Sequence, residues 1–209
     1  MTTLPLWRRR YWHPALQLLL IALCAGALIS CENAERYHAT DLGHGSLGGE
    51  FSANLLDFDG RPSKLADFRG KAVILFFGYA SCPDICPTAL SKFAQVLQQP
   101  DIDRKKVQVL FITLDPERDT PSLLRPFITW FDPDFIALTG SPAAIAQVAQ
   151  QYRVTHQRRS APDTALGYTI DHSAGAYVID PQGQLRLYVA DNATIEQIAA
   201  DLKKLFAAR

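Results

Sequence analysis

The 209-residue chain has one methionine, and it is Met1. Methionine-rich metal binding is therefore excluded. It also lacks any excess of charge: 21 Lys and Arg balance 21 Asp and Glu. Beyond the N-terminal segment no clustered basic stretch stands out, so nothing points to a nucleic-acid partner. There is no internal repeat and no long low-complexity tract, which excludes solenoid and fibrous architectures. Cysteine is scarce, at four residues: Cys24, Cys31, Cys82 and Cys86. Acidic residues are missing altogether before Glu32.

What fills that acid-free N-terminus is a basic cluster, Arg8 to Arg10, followed by an apolar run from about Ala15 to Ile29. A basic flank before a short apolar core is the pattern of an export signal. The run ends Leu28, Ile29, Ser30, Cys31, which resembles the lipobox of bacterial lipoproteins. Cleavage before Cys31 would leave that cysteine to carry lipid. The alternative is an uncleaved anchor, for which the core is short against a bilayer. Either way the expectation is a globular domain tethered outside the cytoplasm. Residues 1–30 are thus expected as signal or anchor, 31–48 as a flexible, glycine-containing tether, and 49–209 as one domain. Loss of 1–30 leaves 18 basic against 21 acidic side chains.

Cysteine arithmetic follows from this. Cleavage removes Cys24, and lipid would occupy Cys31, leaving Cys82 and Cys86 as the free pair. They lie in Gly78 to Pro87, read as GYASCPDICP. A disulfide across three residues closes too small a loop to be a useful staple. Metal binding and redox exchange are the two fates left open.

The pattern along the domain is mixed. Phe51 to Phe58, with Asp59 and Gly60 behind it, reads as a hairpin strand and turn. Val73 to Phe77 and Val107 to Leu114 are continuous apolar runs, expected of strands covered on both faces. Cys86 opens a helix to about Gln98, with Pro87 near its start, where proline is tolerated. A helix after Pro121 is expected to be kinked or shortened by Pro126. Phe135 to Leu138 reads as a strand and Pro142 to Tyr152 as a helix. Ala176 to Ile179 and Gln184 to Val189 make a hairpin about Asp180 to Gly183. Ala193 to Phe206 is an amphipathic helix. Residues 155–168 read as an inserted loop or hairpin. Alternating strands and helices indicate an α/β sandwich. A strand that leads into cysteines at a helix N-terminus narrows it to a thioredoxin-like arrangement.

At such a junction the helix dipole favours thiolates. Two thiolates suit Cu(I), and they can equally close to a disulfide. An imidazole would complete a three-coordinate set. Of His38, His44, His156 and His172, the first two fall in the expected tether. His156 reads as solvated polar surface. His172 lies just before the strand from Ala176, whose entry loop abuts the cysteine loop in this arrangement. A surface or buried structural histidine remains the alternative.

Three motifs together resemble the Sco (SenC-type) copper chaperones: Phe77 to Pro87, Leu114 to Thr120 (LDPERDT) and Asp171 to Ala174 (DHSA). The resemblance runs from about Gly48 to the C-terminus. It implies a membrane-tethered, thioredoxin-like domain with an extra hairpin. It also implies one copper per chain, as Cu(I) or Cu(II), held by Cys82, Cys86 and His172. Further implications are an upstream copper donor, cytochrome c oxidase subunit II as client, and a location on the outer face of a bacterial inner membrane. Asp84, Asp115 and Asp171 are candidates to steer the ligands or meet a partner; a cap at Asp115 and a plain turn at Asp171 are the alternatives. Glu117, Arg118 and Asp119 read as a solvated turn, and Tyr79 and Phe77 as packing residues.

A carrier of copper need not be an enzyme. The competing function is a thiol–disulfide reductase that keeps client cysteines reduced, using Cys82 and Cys86 as its redox pair. A peroxidase is disfavoured because Tyr79 stands where the peroxiredoxin pattern has threonine. A dinuclear copper electron carrier is excluded by Leu90 and Phe93, which replace the histidine and methionine such a site requires.

Overall fold

The computed structural model describes residues 37–43, 48–51 and 53–207, all within a compact unit spanning Tyr37–Arg209. Residues 1–30, expected as signal or anchor, Cys31 and His44 lie outside the described residues. Among those described, no helix is long and apolar enough to cross a membrane.

Ten strands are present among the described residues: β1 Thr40–Asp41, β2 Leu55–Asp57, β3 Pro62–Ser63, β4 Ala72–Gly78, β5 Val107–Thr113, β6 Ile136–Thr139, β7 His156–Ala161, β8 Gly167–His172, β9 Ala176–Ile179 and β10 Leu185–Val189. The four α-helices among the described residues are α1 Ile85–Leu97, α2 Pro121–Phe131, α3 Pro142–Gln151 and α4 Ile195–Ala207. Eight strands form one sheet in the order β1-β10-β9-β4-β5-β6-β2-β3. β4, β5 and β6 run parallel, and β9 lies antiparallel to β4. This is a thioredoxin-like sheet. β7 and β8 form a separate hairpin.

The continuous apolar runs are explained by two cores, one on each face of the sheet. Strand alternation sends Ile74, Phe76, Val109 and Phe111 to the face covered by α1, α2 and α4, where Leu90, Phe93, Leu124, Ile128, Ile198 and Leu202 pack. Val73, Leu75, Phe77, Leu110 and Ile112 face Ile145, Val148 and Tyr152 on the opposite side. With side chains buried on both faces, β4 and β5 have no polar face to show.

Three expectations need correction. Part of the stretch expected as tether is docked on the domain: β1 pairs with β10. Buried Asp201 accepts the backbone N–H groups of His38 and Ala39 at 2.8 and 2.7 Å. Two charge-assisted bonds to one buried carboxylate hold this segment more firmly than its polar composition suggests. Second, α2 continues past Pro126 to Phe131; proline removes one amide donor but the buried Leu124 and Ile128 keep the helix on the sheet. Third, the inserted segment is a regular hairpin that reaches to His172, beyond the expected limit at 168.

Candidate metal centre

β4 ends on Gly78, and the reason is the site itself. A Cβ at this position would lie 2.5 Å from Cys86 Sγ and 3.0 Å from the Phe111 ring. Glycine lets the buried sulfur rest on the strand end. Gly78→Ala is therefore expected to push Cys86 off its seat and destabilise the fold by about 1–3 kcal/mol, read from denaturant unfolding midpoints.

The chain then turns through Tyr79 to Pro83, where the Cys82 N–H donates to the Tyr79 carbonyl at 3.1 Å. Cys82 is half-buried in this turn, and Cys86 is fully buried in the first turn of α1; both are free thiols. His172 arrives from the far end of the sequence, as the last residue of β8. Its Nε2 lies 3.5 Å from Cys86 Sγ. The Cys82 and Cys86 sulfurs and one His172 nitrogen all lie within 4.8 Å of one another.

The imidazole is held in one tautomer. Nδ1 lies 2.9 Å from the Ser173 carbonyl. A carbonyl only accepts, so Nδ1 carries the proton and donates. Nε2 is left with its lone pair directed at the sulfurs, as a metal ligand requires. Phe76 and Tyr79 wall the ring edge-on at 6.4 and 6.0 Å.

The two thiols are unequal. Cys82 is held well below the ordinary thiol range, chiefly by a hydrogen bond from Cys86. Burial opposes this, while the contact with the His172 side chain and the backbone amides at Asp84 and Cys86 assist. Cys86 is pushed far up by the same hydrogen bond to Cys82 and by burial. The proton of the pair thus sits on the buried sulfur, and the accessible one is the thiolate. Two soft sulfurs and a neutral imidazole fit a soft cation such as Cu(I).

The acidic candidates fall in different places. Asp84 is exposed at the N-cap of α1, and its side chain makes no capping bond. Asp171 does not orient His172: its carboxylate pairs with Arg159 at 2.8 Å on the solvent face, and the Ser173 carbonyl performs the orienting. The period of two in β8 explains this, since Asp171 and His172 must point to opposite faces. Asp115 is buried at the end of β5. It accepts from Arg118 and from the Tyr168 hydroxyl at 2.8 Å.

The supposed solvated turn is mostly interior. Arg118 donates to the carbonyls of Leu166 and Tyr168 at 3.0 and 3.1 Å. Its guanidinium stacks on the Tyr168 ring at 3.6 Å, and Arg158 stacks at 4.1 Å. Only Glu117, paired with Arg158, is exposed. Asp119 is fully buried and accepts from Thr113 Oγ1 at 2.6 Å and the Ala80 N–H at 2.9 Å. Burial raises its carboxyl above the usual carboxylate range, against both hydrogen bonds. Asp119 holds the start of the cysteine turn, and Asp115 with Arg118 holds the hairpin that carries His172. The turn between them thus ties both halves of the centre to β5. Two aspartates four apart after a buried strand were the available sequence signal. Tyr79 also does more than pack, since its phenol bonds the Ile170 backbone and Cys82.

A family model described as SCO1/SenC matches residues 39–207. The chain is similar to the bovine (Bos taurus) mitochondrial SCO2 homolog, 41% identical over 162 residues, which covers 77% of this chain and 60% of that protein. It thus spans about three-fifths of that relative. An SCO2-like protein of Rickettsia felis is 35% identical over 153 residues, 72% of this chain and 73% of the relative. Among solved structures, copper-bound ScoI of Bradyrhizobium japonicum is 39% identical with a TM-score of 0.68, covering 76% of this chain and 99% of that one. Copper-bound yeast Sco1 is 32% identical with a TM-score of 0.68, covering 79% and 91%.

Proposed function

The chain belongs to the SCO1/SenC family, and from that premise we propose that it is a copper chaperone whose cargo binds Cys82, Cys86 and His172. The client is cytochrome c oxidase subunit II, whose dinuclear copper centre it helps to build. The observation that carries this is the convergence of two sulfurs and one correctly protonated imidazole within 4.8 Å. Copper-bound structures of similar proteins support the choice of metal.

The chemistry is ligand exchange. Cys82 is the accessible thiolate, so an incoming client thiolate displaces it before Cys86. Cys86, against Gly78 and under His172, releases last. No covalent substrate bond is made or broken, so the role is carriage and not catalysis. Lipid on Cys31, or an uncleaved anchor, would hold the domain at the outer face of the inner membrane beside its client. An upstream donor supplies the copper.

Titration of the reduced full chain with Cu(I) tests the proposal. One copper per chain in tight competition with a chelator is the expected result; a chain that takes up none overturns it.

Unequal thiols favour one further role, thiol–disulfide reductase. The Cys82 thiolate would attack a client disulfide, release one client thiolate and form a mixed disulfide. Cys86, once deprotonated, would then displace the second client thiolate and close the Cys82–Cys86 bond. The client gains two electrons and the pair loses two. The pH profile of alkylation checks the premise. Because its acidity is enhanced, Cys82 is expected to react with iodoacetamide at pH 6 within twofold of its rate at pH 8. An ordinary thiol would slow roughly 70-fold over that interval. Peptide mapping is expected to find the adduct on Cys82 and not on Cys86.

A further inference from the structure

His156 was expected to be solvated surface, and it is exposed. Its place in the hairpin gives it a second meaning. In the β7–β8 register His156 lies directly opposite His172. The Ser173 N–H donates to the Thr155 carbonyl at 3.0 Å, so that neighbouring pair is a hydrogen-bonded one. Antiparallel pairs alternate, which makes His156 and His172 a non-hydrogen-bonded pair, the kind whose side chains stand closest. Their Cβ atoms are then roughly 4.5–5.5 Å apart on one face.

That face is the one turned to the site. Ile170 of β8 is buried, and the Arg158 guanidinium of β7 lies over the Tyr168 ring. Even-numbered residues of both strands therefore look toward the domain. The odd-numbered pair Arg159 and Asp171 looks to solvent. His156 and His172 together line an open groove of about 580 Å³ at the end of the hairpin, with Thr155, Gln157, Asp171 and Ser173 but neither cysteine. The His156 ring makes no hydrogen bond among the described residues.

We propose that His156 is a second imidazole ligand, recruited when the bound copper is Cu(II). Two sulfurs and one imidazole suit Cu(I). Cu(II) favours a four-ligand, tetragonal set with nitrogen donors, and this site is one donor short. His156, directly across the strand pair from His172, is the imidazole that fills it. The inference rests on copper binding at Cys82, Cys86 and His172.

The test is pulsed EPR on the full chain loaded with one Cu(II). Two remote imidazole nitrogens are expected in the wild type and one in His156→Gln. Cu(II) affinity in the variant is expected to fall at least about tenfold, with Cu(I) affinity within about threefold and the melting temperature unchanged. His172→Gln serves as the calibration, since it removes the imidazole of the three-ligand set proposed above. The same nitrogen count in wild type and His156→Gln, or equal losses of Cu(I) and Cu(II) affinity, would overturn the inference. A wild-type chain that takes up no copper in either state sinks the copper reading first, and this with it.

Discussion

Cys86→Ala is expected to leave a chain that holds copper more than about 100-fold more weakly, if it holds it at all. Cys86 is the buried sulfur, seated against Gly78 and 3.5 Å from His172 Nε2. Removing it leaves one thiolate and one imidazole, which cannot enclose a soft ion. The fold should tolerate the change, because alanine vacates only the space of one sulfur, about 1 kcal/mol in a packed core. Competition with a Cu(I) chelator, read beside a thermal melt, separates these effects. Loss of binding with a small melting shift is the expected pair of results. Copper affinity within tenfold of wild type would remove Cys86 from the ligand set.

Asp115→Ala is expected to be the most destabilising change near the site. The carboxylate is buried and accepts from both Arg118 and the Tyr168 hydroxyl. Deleting it strands the largely buried Arg118 charge without its partner, at a cost of about 3–5 kcal/mol. For a domain of this size that corresponds to a melting shift of roughly 6–20 °C. The effect should reach the metal centre as well. Arg118 also grips the Leu166 and Tyr168 carbonyls, so its release loosens the hairpin that ends at His172. Hydrogen exchange is expected to speed up across β7 and β8 and to change little in β5 and β6. Asp171→Ala is the contrast, because its ion pair with Arg159 is exposed on both sides and such pairs contribute little. Equal shifts for the two variants would refute the assignment of Asp115 as the anchor of the hairpin.

The elements of the domain were legible in the chain because its signals are local. Apolar runs marked β4 and β5, Asp59 and Gly60 marked the first hairpin, and Pro142 marked the start of α3. The inserted hairpin was harder, since β7 is polar from His156 to Ser160 and almost wholly exposed. A strand without an apolar face carries no period to detect. Docking of Thr40–Asp41 was hidden for a related reason. The group that holds the preceding amides, Asp201, is more than 160 residues away, and an acid within an amphipathic helix ordinarily faces water. Arg118 and Asp119 are hidden on the same ground: charged residues in a turn read as exposed, and although Asp115 lies only three residues from Arg118, the carbonyls that draw Arg118 inward lie on the distant hairpin.

By itself the sequence determined the α/β class, the pair of thiols at a helix start and, through three ordered motifs, the family. These depend on residues near one another in the chain, where spacing fixes geometry. Tertiary structure alone decided which thiol is acidic, because the difference comes from depth of burial and from a hydrogen bond across the loop. It alone showed that the Ser173 carbonyl, not Asp171, sets the His172 tautomer, since strand alternation turns adjacent side chains to opposite faces. It alone placed Asp115, Arg118 and Asp119 between the two halves of the centre and put His156 opposite His172. The last two join positions as far apart as Asp115 and Tyr168, separated by 53 residues, and chain spacing says nothing about them until the sheet and hairpin fold.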